Sequence, residues 1–88
     1  MAEQSEREIL QDILSGVEEM MAETRKSRQE LYGVKKELTD SYQNGKVTEL
    51  GYRIRLEQVD RSYQTIVFCI RRLEQQKKIA LQKLQELG

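Results

Sequence analysis

The chain has no histidine, no proline and no tryptophan among its 88 residues, and it has a single cysteine and a single phenylalanine. Without histidine it lacks the commonest acid–base side chain, the commonest activator of a catalytic nucleophile and the imidazole metal ligand. Its five glycines are scattered singly, so they form no phosphate-binding loop. We therefore expect no enzymatic activity, no metal site and no cofactor.

Cysteine is present only as Cys69, which excludes an internal disulfide framework. Within its apolar segment, the expected role of Cys69 is that of a small buried hydrophobe. Long apolar runs are also missing, and the acidic start of the chain, with Glu3, Glu6 and Glu8 around Arg7, is the opposite of a signal peptide. These absences predict a soluble, cytoplasmic protein that makes no contact with a membrane.

The residues that are present favour long helices. Charged residues make up 34% of the chain and hydrophobic residues 38%, a balance typical of coiled coils. The net charge is zero and apolar residues recur at regular intervals, which argues against disorder. Ser5 followed by Glu8 forms a capping box, so a first helix is expected to begin directly after Ser5.

The clearest break in the helical pattern lies at the midpoint of the chain, in residues 43–48. Asn44-Gly45 predicts the C-terminal cap of one helix, and Thr48 predicts the N-terminal cap of the next. Asn-Gly is also a frequent β-hairpin turn, but the apolar residues on both sides recur every three or four residues. We predict one all-α domain, an antiparallel two-helix coiled-coil hairpin, with a frayed tail over 1–5, helix 1 over 6–43, a turn over 44–48 and helix 2 over 49–87.

Two heptad patterns define the expected seam between the helices. In helix 1 the a positions are Leu10, Val17, Thr24, Leu31 and Leu38, and the d positions are Ile13, Met20, Ser27, Val34 and Ser41. In helix 2 the a positions are Glu49, Leu56, Tyr63, Ile70, Lys77 and Leu84, and the d positions are Tyr52, Val59, Ile66, Leu73, Ala80 and Leu87. Antiparallel pairing of a with d matches residues whose numbers sum to 90, which makes Gly45 the tip of the hairpin. The same pairing is expected to place the Tyr63 hydroxyl near Ser27 or at the seam edge.

Apolar residues outside this seam predict a further contact. Residues 66–70 are apolar on every side of the helix, and a single hairpin would leave part of this segment in water. The expected interface consists of Leu14, Met20, Met21, Val67, Phe68, Cys69 and Leu81. We predict that two hairpins form a homodimeric four-helix bundle, which works as a small adaptor, scaffold or regulatory protein. A helix of another protein is the alternative occupant of this surface.

The alternative function is that of a nucleic-acid-associated regulator. From Gly45 to the end of the chain there are nine bases against five acids, and the expected phosphate contacts are Arg53, Arg55, Arg71 and Arg72. Strong phosphate binding requires a concentrated basic face, whereas the acidic first half of helix 1 is expected to lie beside these residues. The charge pattern therefore favours protein–protein interaction over nucleic-acid binding.

The turn region has a spacing of apolar, glycine and threonine residues that is carried by Leu38, Tyr42, Gly45, Val47, Thr48 and Tyr52. This spacing resembles the short helix-turn-helix of SHOCT-type oligomerisation modules over about fifteen residues. The chain differs from those modules at Leu50-Gly51, where they usually have acidic residues. The resemblance implies a self-associating hairpin.

Overall fold

Two long helices pack against each other as an antiparallel hairpin in the computed structural model, which describes residues 5–88. Helix α1 spans Glu6–Gln43 and helix α2 spans Glu49–Leu87. At 1.5 Å per residue each helix is about 57 Å long, and the hairpin measures 64 × 21 × 17 Å. The predicted all-α helical hairpin is confirmed. The frayed tail was expected over residues 1–5; residues 1–4 lie outside the described part of the chain, and Ser5 is the N-cap of α1.

Polar side chains cap the start of both helices. The Ser5 hydroxyl accepts a hydrogen bond from the backbone N–H of Glu8 at 3.2 Å. The Thr48 hydroxyl accepts one from the N–H of Gly51 at 3.1 Å. Each bond satisfies an amide that the first helical turn leaves without a partner. Both caps are the residues that the sequence indicated.

The end of α1 is closed by a Schellman motif around the predicted glycine. The N–H of Lys46 donates to the carbonyl of Ser41 at 2.9 Å, and the N–H of Gly45 donates to the carbonyl of Tyr42 at 3.1 Å. Gly45 has a φ angle of +72°, a left-handed conformation that costs glycine little and other residues considerably more. The local sequence therefore determines where α1 stops.

Helix α2 presents the seam that its heptad pattern predicted. Every a and d position between Tyr52 and Leu84 is buried or half-buried, whereas Glu49 and Leu87 at the two ends are exposed. Three of these positions, Ile70, Leu73 and Ala80, are buried. One continuous apolar line thus runs along the side of α2 that faces α1.

Helix α1 turns a different side toward α2 than its heptad pattern predicted. The expected a positions are buried or half-buried, but the d residues Ile13, Met20 and Val34 are each about half exposed, and Ser27 is exposed as well. The predicted d line is therefore wrong over most of its length. The seam instead runs through the residues one position later, and these are Leu14, Met21 and Arg28.

The register between the helices also differs from the prediction. The Tyr42 and Tyr52 rings stack with centroids 4.5 Å apart and planes 14° from parallel, and Met21 shares a buried cluster with Leu73. Both pairs of residue numbers sum to 94, whereas Val17, which shares the same cluster with Leu73, keeps the predicted sum of 90. The stacked tyrosines and the contact of Met21 with Leu73 therefore lie four residues beyond the predicted register.

Charge explains the preference for the observed register. A sum of 90 would place the Lys77 ammonium opposite the aliphatic Ile13. In the observed register the Lys77 Nζ lies 3.6 Å from Glu18 Oε1, and the Lys35 Nζ lies 3.9 Å from Asp60 Oδ1. Exposed pairs of this kind contribute only a few tenths of a kcal/mol each, so they select the register without supplying most of the stability.

Candidate interaction surfaces

Two of the predicted interface residues, Met21 and Leu14, pack between the two helices of the hairpin itself. Met21 is buried in a cluster with Val17 and Leu73, so the expectation that Met21 lies on an exposed patch is wrong. Leu14 is half-buried on the same line of α1. Both side chains stabilise the contact between α1 and α2. The surfaces that remain for a partner are the two long flanks of the hairpin, where its helices meet solvent.

One flank carries an apolar stripe along α1. The stripe consists of Ile9, Ile13, Met20 and Val34, whose side chains are 44%, 45%, 51% and 48% exposed. Residues seven apart share one face of a supercoiled helix, so Ile13, Met20 and Val34 form a straight line. We call this side of the hairpin the stripe flank.

Open grooves lie at both ends of the stripe flank. The groove near the turn has a volume of about 450 Å³ and is lined by Val34 and Ser41 of α1 and by Arg55 and Ser62 of α2. The groove near the chain ends has a volume of about 510 Å³ and includes Ile9, Ile13, Lys83 and Leu87 among its lining residues. On this flank, apolar side chains come mainly from α1 and polar side chains mainly from α2.

The opposite side, which we call the tyrosine flank, is organised around Tyr32 and Tyr63. Their ring centroids are 5.8 Å apart with planes at 42°, and their hydroxyl oxygens are 3.3 Å apart. Of the two positions expected for the Tyr63 hydroxyl, near Ser27 or at the seam edge, the structure shows the seam edge, where Tyr32 is its partner. The hydrogen bond with Tyr63, helped by desolvation, raises the pKa of Tyr32 above its ordinary value.

Three further predicted interface residues lie on or beside the tyrosine flank. Val67 is half-buried, Phe68 is 63% exposed, and both line a shallow groove of about 270 Å³ with Tyr63 and Arg71. Leu81, at 44% exposure, lies fourteen residues after Val67 and thus on the same line of α2. Their participation in an interface stays a prediction.

Cys69 lies on the other side of α2 from Val67. It falls seven residues after Ser62, a lining residue of the groove near the turn, and therefore belongs to the stripe flank. Its thiol is free and exposed in the hairpin. Segment 66–70 consequently does not form one patch. Cys69 lies on the stripe flank, as does Met20 of α1, whereas Val67 and Phe68 lie on or beside the tyrosine flank.

The four arginines predicted for nucleic-acid contacts are not brought to one face. Arg53 forms an ion pair with Glu49 at 3.2 Å, Arg55 lines the groove on the stripe flank, and Arg71 lines the groove beside Phe68. Arg72 follows Arg71 at 100° around the helix. The geometry offers no concentrated basic surface built from these residues.

Two further kinds of feature are absent from the described part of the chain. Between residues 5 and 88, no three side chains of histidine, cysteine, aspartate or glutamate come together as a set of metal ligands. Neither helix contains an apolar window long enough to cross a bilayer.

The heptad spacing of the apolar stripe is visible in the sequence, but the stripe was expected to pack against α2 and is instead exposed. Ile13, Met20 and Val34 recur at the heptad interval, and this regularity predicted a position inside the hairpin. The neighbouring Leu14 and Met21 have the same interval, so α1 has two apolar lines side by side. Only the packed structure distinguishes the line that faces α2 from the line that remains exposed.

A comparison of the chain with protein-family models, with curated proteins and with solved structures finds no match in any of the three. The resemblance around the turn therefore remains an observation on residues 38–52.

Proposed function

We propose that the chain is a protein–protein interaction module that self-associates, with two hairpins packing into a four-helix bundle. A small adaptor, scaffold or regulatory protein is the class of molecule that such a module serves. The observation that carries the proposal is the apolar stripe of Ile9, Ile13, Met20 and Val34, which the hairpin leaves about half exposed along most of one helix. The stripe is interrupted by Ser27, but several large apolar side chains exposed along one line of a helix are typical of an interaction surface.

The thin core of the hairpin supports the same proposal. Six apolar residues of the described chain are buried, and no large side chain among them is below 2% exposure. The accessible surface is 7278 Å², whereas a compact monomer of 10.4 kDa exposes roughly 5,400 Å². Two long helices alone cannot enclose a core, and a second hairpin supplies the missing apolar neighbours.

The stripe flank is a better candidate for the contact than the tyrosine flank. The line of α1 that borders the tyrosine flank consists of Gln11, Glu18, Arg25, Tyr32 and Thr39. Four of these five side chains are polar or charged, and burying them carries a desolvation penalty. The corresponding line of the stripe flank has Ile13, Met20 and Val34 in three of its five places and the small residues Ser27 and Ser41 in the other two.

The test is the mass in solution of the wild-type chain and of a Met20→Glu variant, measured by sedimentation over a range of concentrations. A wild-type dimer is expected. In the variant, the dissociation constant should rise about a hundredfold or more, because a dimer loses two methionine contacts of about 1.5 kcal/mol each and gains two buried carboxylates.

Leu50→Glu is the matched control, because Leu50 is 69% exposed and lies away from the stripe. It introduces the same charge and should leave the mass unchanged. A second comparison is Phe68→Glu, on the tyrosine side of α2. If this variant dissociates the dimer while Met20→Glu does not, the stripe is not the interface. A wild-type chain that is monomeric at all concentrations contradicts self-association.

A further inference from the structure

The stripe flank has an unequal division of polarity that restricts how a second copy can dock. Helix α1 contributes the apolar stripe to this flank. The line of α2 that borders the same flank is mostly polar, and its residues, spaced seven apart, are Arg55, Ser62, Cys69, Gln76 and Lys83. Only one helix of the flank is therefore strongly apolar. An interface between identical flanks must respect a twofold axis, which leaves two orientations.

The two orientations differ in which helices meet. With the axis along the rod, the hairpins point the same way and α1 faces α2 of the second copy, so Val34 meets the level of Ser62. With the axis across the rod, the hairpins are antiparallel and α1 faces α1 of the second copy. The first orientation sets the apolar stripe against the polar line, whereas the second sets Ile13 against Val34 of the second copy.

We propose that a second copy of this chain docks on the stripe flank in the antiparallel orientation, α1 against α1, an inference that rests on the self-association proposed above. In this arrangement Ile13 faces Val34 of the second copy, and Met20 faces Ser27 of the second copy. Both pairs of numbers sum to 47. The twofold axis therefore passes between Glu23 and Thr24.

The charge distribution along α1 changes sign at this axis. From residue 6 to residue 23 the helix has six acids against one base, a net charge of −5. From residue 24 to residue 43 it has five bases against three acids, a net charge of +2. An antiparallel contact lays the acidic half of each α1 along the basic half of the other, whereas a parallel contact of α1 with α1 would join the acidic halves.

Rim residues illustrate this complementarity. Glu19 and Lys26 lie seven residues apart on the line of α1 that borders the stripe flank. Their numbers sum to 45, two less than the sum of 47 that defines facing residues. Glu19 of one copy therefore lies within about 3 Å, measured along the rod, of the level of Lys26 in the second copy. Two symmetric ion pairs at the edge of the contact follow from this position. Such pairs select orientation more than they add affinity.

The axis also lies close to the middle of the rod. In the hairpin register, a level between residues 23 and 24 of α1 corresponds to one between Ile70 and Arg71 of α2. The two copies therefore overlap over nearly their whole length.

Cys69 lies on the stripe flank within about 2 Å of the axis along the rod, so the two Cys69 side chains come to the centre of the bundle. This position makes Cys69 a buried hydrophobe in the dimer although its thiol is exposed in one hairpin.

Site-directed cross-linking separates the two orientations. On a Cys69→Ser background, the double variant Ile13→Cys/Val34→Cys is treated with a short bis-maleimide, and the covalent dimer is measured on a denaturing gel. The double variant should yield more than about tenfold more covalent dimer than either single variant, because identical single cysteines are 21 residues, or about 32 Å, apart in the antiparallel contact. Circular dichroism verifies that each variant retains its helices.

The other outcomes are distinct. A covalent dimer from a mixture of Val34→Cys and Ser62→Cys chains, without one from the Ile13→Cys/Val34→Cys variant, establishes the parallel orientation and overturns this inference. A dimeric mass in solution with neither cross-link places the contact on another surface and overturns it as well. A monomeric mass rejects the self-association itself, so failure of the orientation and failure of the proposed function give different results.

Discussion

Gly45 and Gly33 have different backbone conformations, and only the conformation of Gly45 is unfavourable for a residue with a side chain. Gly45 has a φ of +72° and closes the Schellman motif, whereas Gly33 lies inside α1 in an ordinary helical conformation. A Cβ atom at either position would meet no other atom within 4 Å. Space is therefore equal at the two sites, and only backbone conformation distinguishes them.

The pair of variants Gly45→Ala and Gly33→Ala should therefore change stability in opposite directions. Alanine at 45 forces a left-handed conformation on an L-residue and should lower the free energy of unfolding by about 1 kcal/mol. Alanine at 33 should raise it by up to about 1 kcal/mol, through the gain in helix propensity. Urea unfolding followed by circular dichroism measures both values. Equal effects of the same sign would contradict the left-handed assignment at Gly45.

At the scale of the helices, the register depends on contacts near the turn. The Tyr42 and Tyr52 rings stack at 4.5 Å. Lys35 reaches Asp60, which lies five residues further along α2 than a sum of 90 would place the partner of Lys35. The stacked pair lies next to the Schellman motif, where the entropy cost of bringing the two helices together is smallest. The tyrosine stack thus anchors the alignment of the remaining seam.

A double-mutant cycle on Tyr42→Ala and Tyr52→Ala tests this alignment. The two substitutions should be non-additive by about 0.5–1.5 kcal/mol in the free energy of unfolding, the range found for aromatic pairs in contact. Tyr42→Ala combined with Tyr63→Ala is the control and should be additive, because those residues lie at different levels of the rod. Additive behaviour in the first cycle would mean that the rings do not stack and that the sum of 94 is incorrect.

For the whole molecule, length is the property that distinguishes the proposed assembly from others. One hairpin is 64 Å long. An antiparallel dimer with its axis near the middle of the rod adds only about 8 Å to this length, because the centre of the contact is displaced by about 4 Å from the centre of the hairpin. Small-angle X-ray scattering of the dimer should therefore give a longest dimension of about 70 Å.

The scattering result has a clear contrary outcome. Association through the turn or through the chain ends would approach twice the length of one hairpin. Met20→Glu provides the reference, since its curve should become that of a single rod with nearly the same longest dimension but about half the forward scattering. A dimer close to twice the hairpin length would show that the flank is not the contact surface.

Much of the architecture could be predicted because it depends on interactions within a few residues. Ser5 and Thr48 cap helices through their own neighbours, Gly45 supplies a left-handed residue, and the heptads of α2 contain only one apolar line. None of these features requires knowledge of a distant residue. The two-helix hairpin therefore followed from the sequence.

The choice between the two apolar lines of α1 could not be predicted in the same way. Ile13, Met20 and Val34 form one line, Leu14 and Met21 begin the other, and both have the period of a helix that faces a partner. The sequence-based pairing took the first line as the d positions of the heptad, whereas the second line, which includes Arg28, is the one that faces α2. A long arginine side chain can place its stem over the seam and its charge in solvent, so its charge does not prevent this contact.

The sequence by itself determined that this chain forms two helices of nearly equal length with a turn at its middle, because capping, glycine conformation and apolar period act locally. Only the tertiary structure decided the register and the side of α1 that meets α2. Those choices depend on the sum of many small contacts between residues far apart in the chain, such as Tyr42 with Tyr52 and Lys77 with Glu18. The same decision leaves the apolar stripe exposed, because a helix can bury only one of two adjacent apolar lines against a single neighbour.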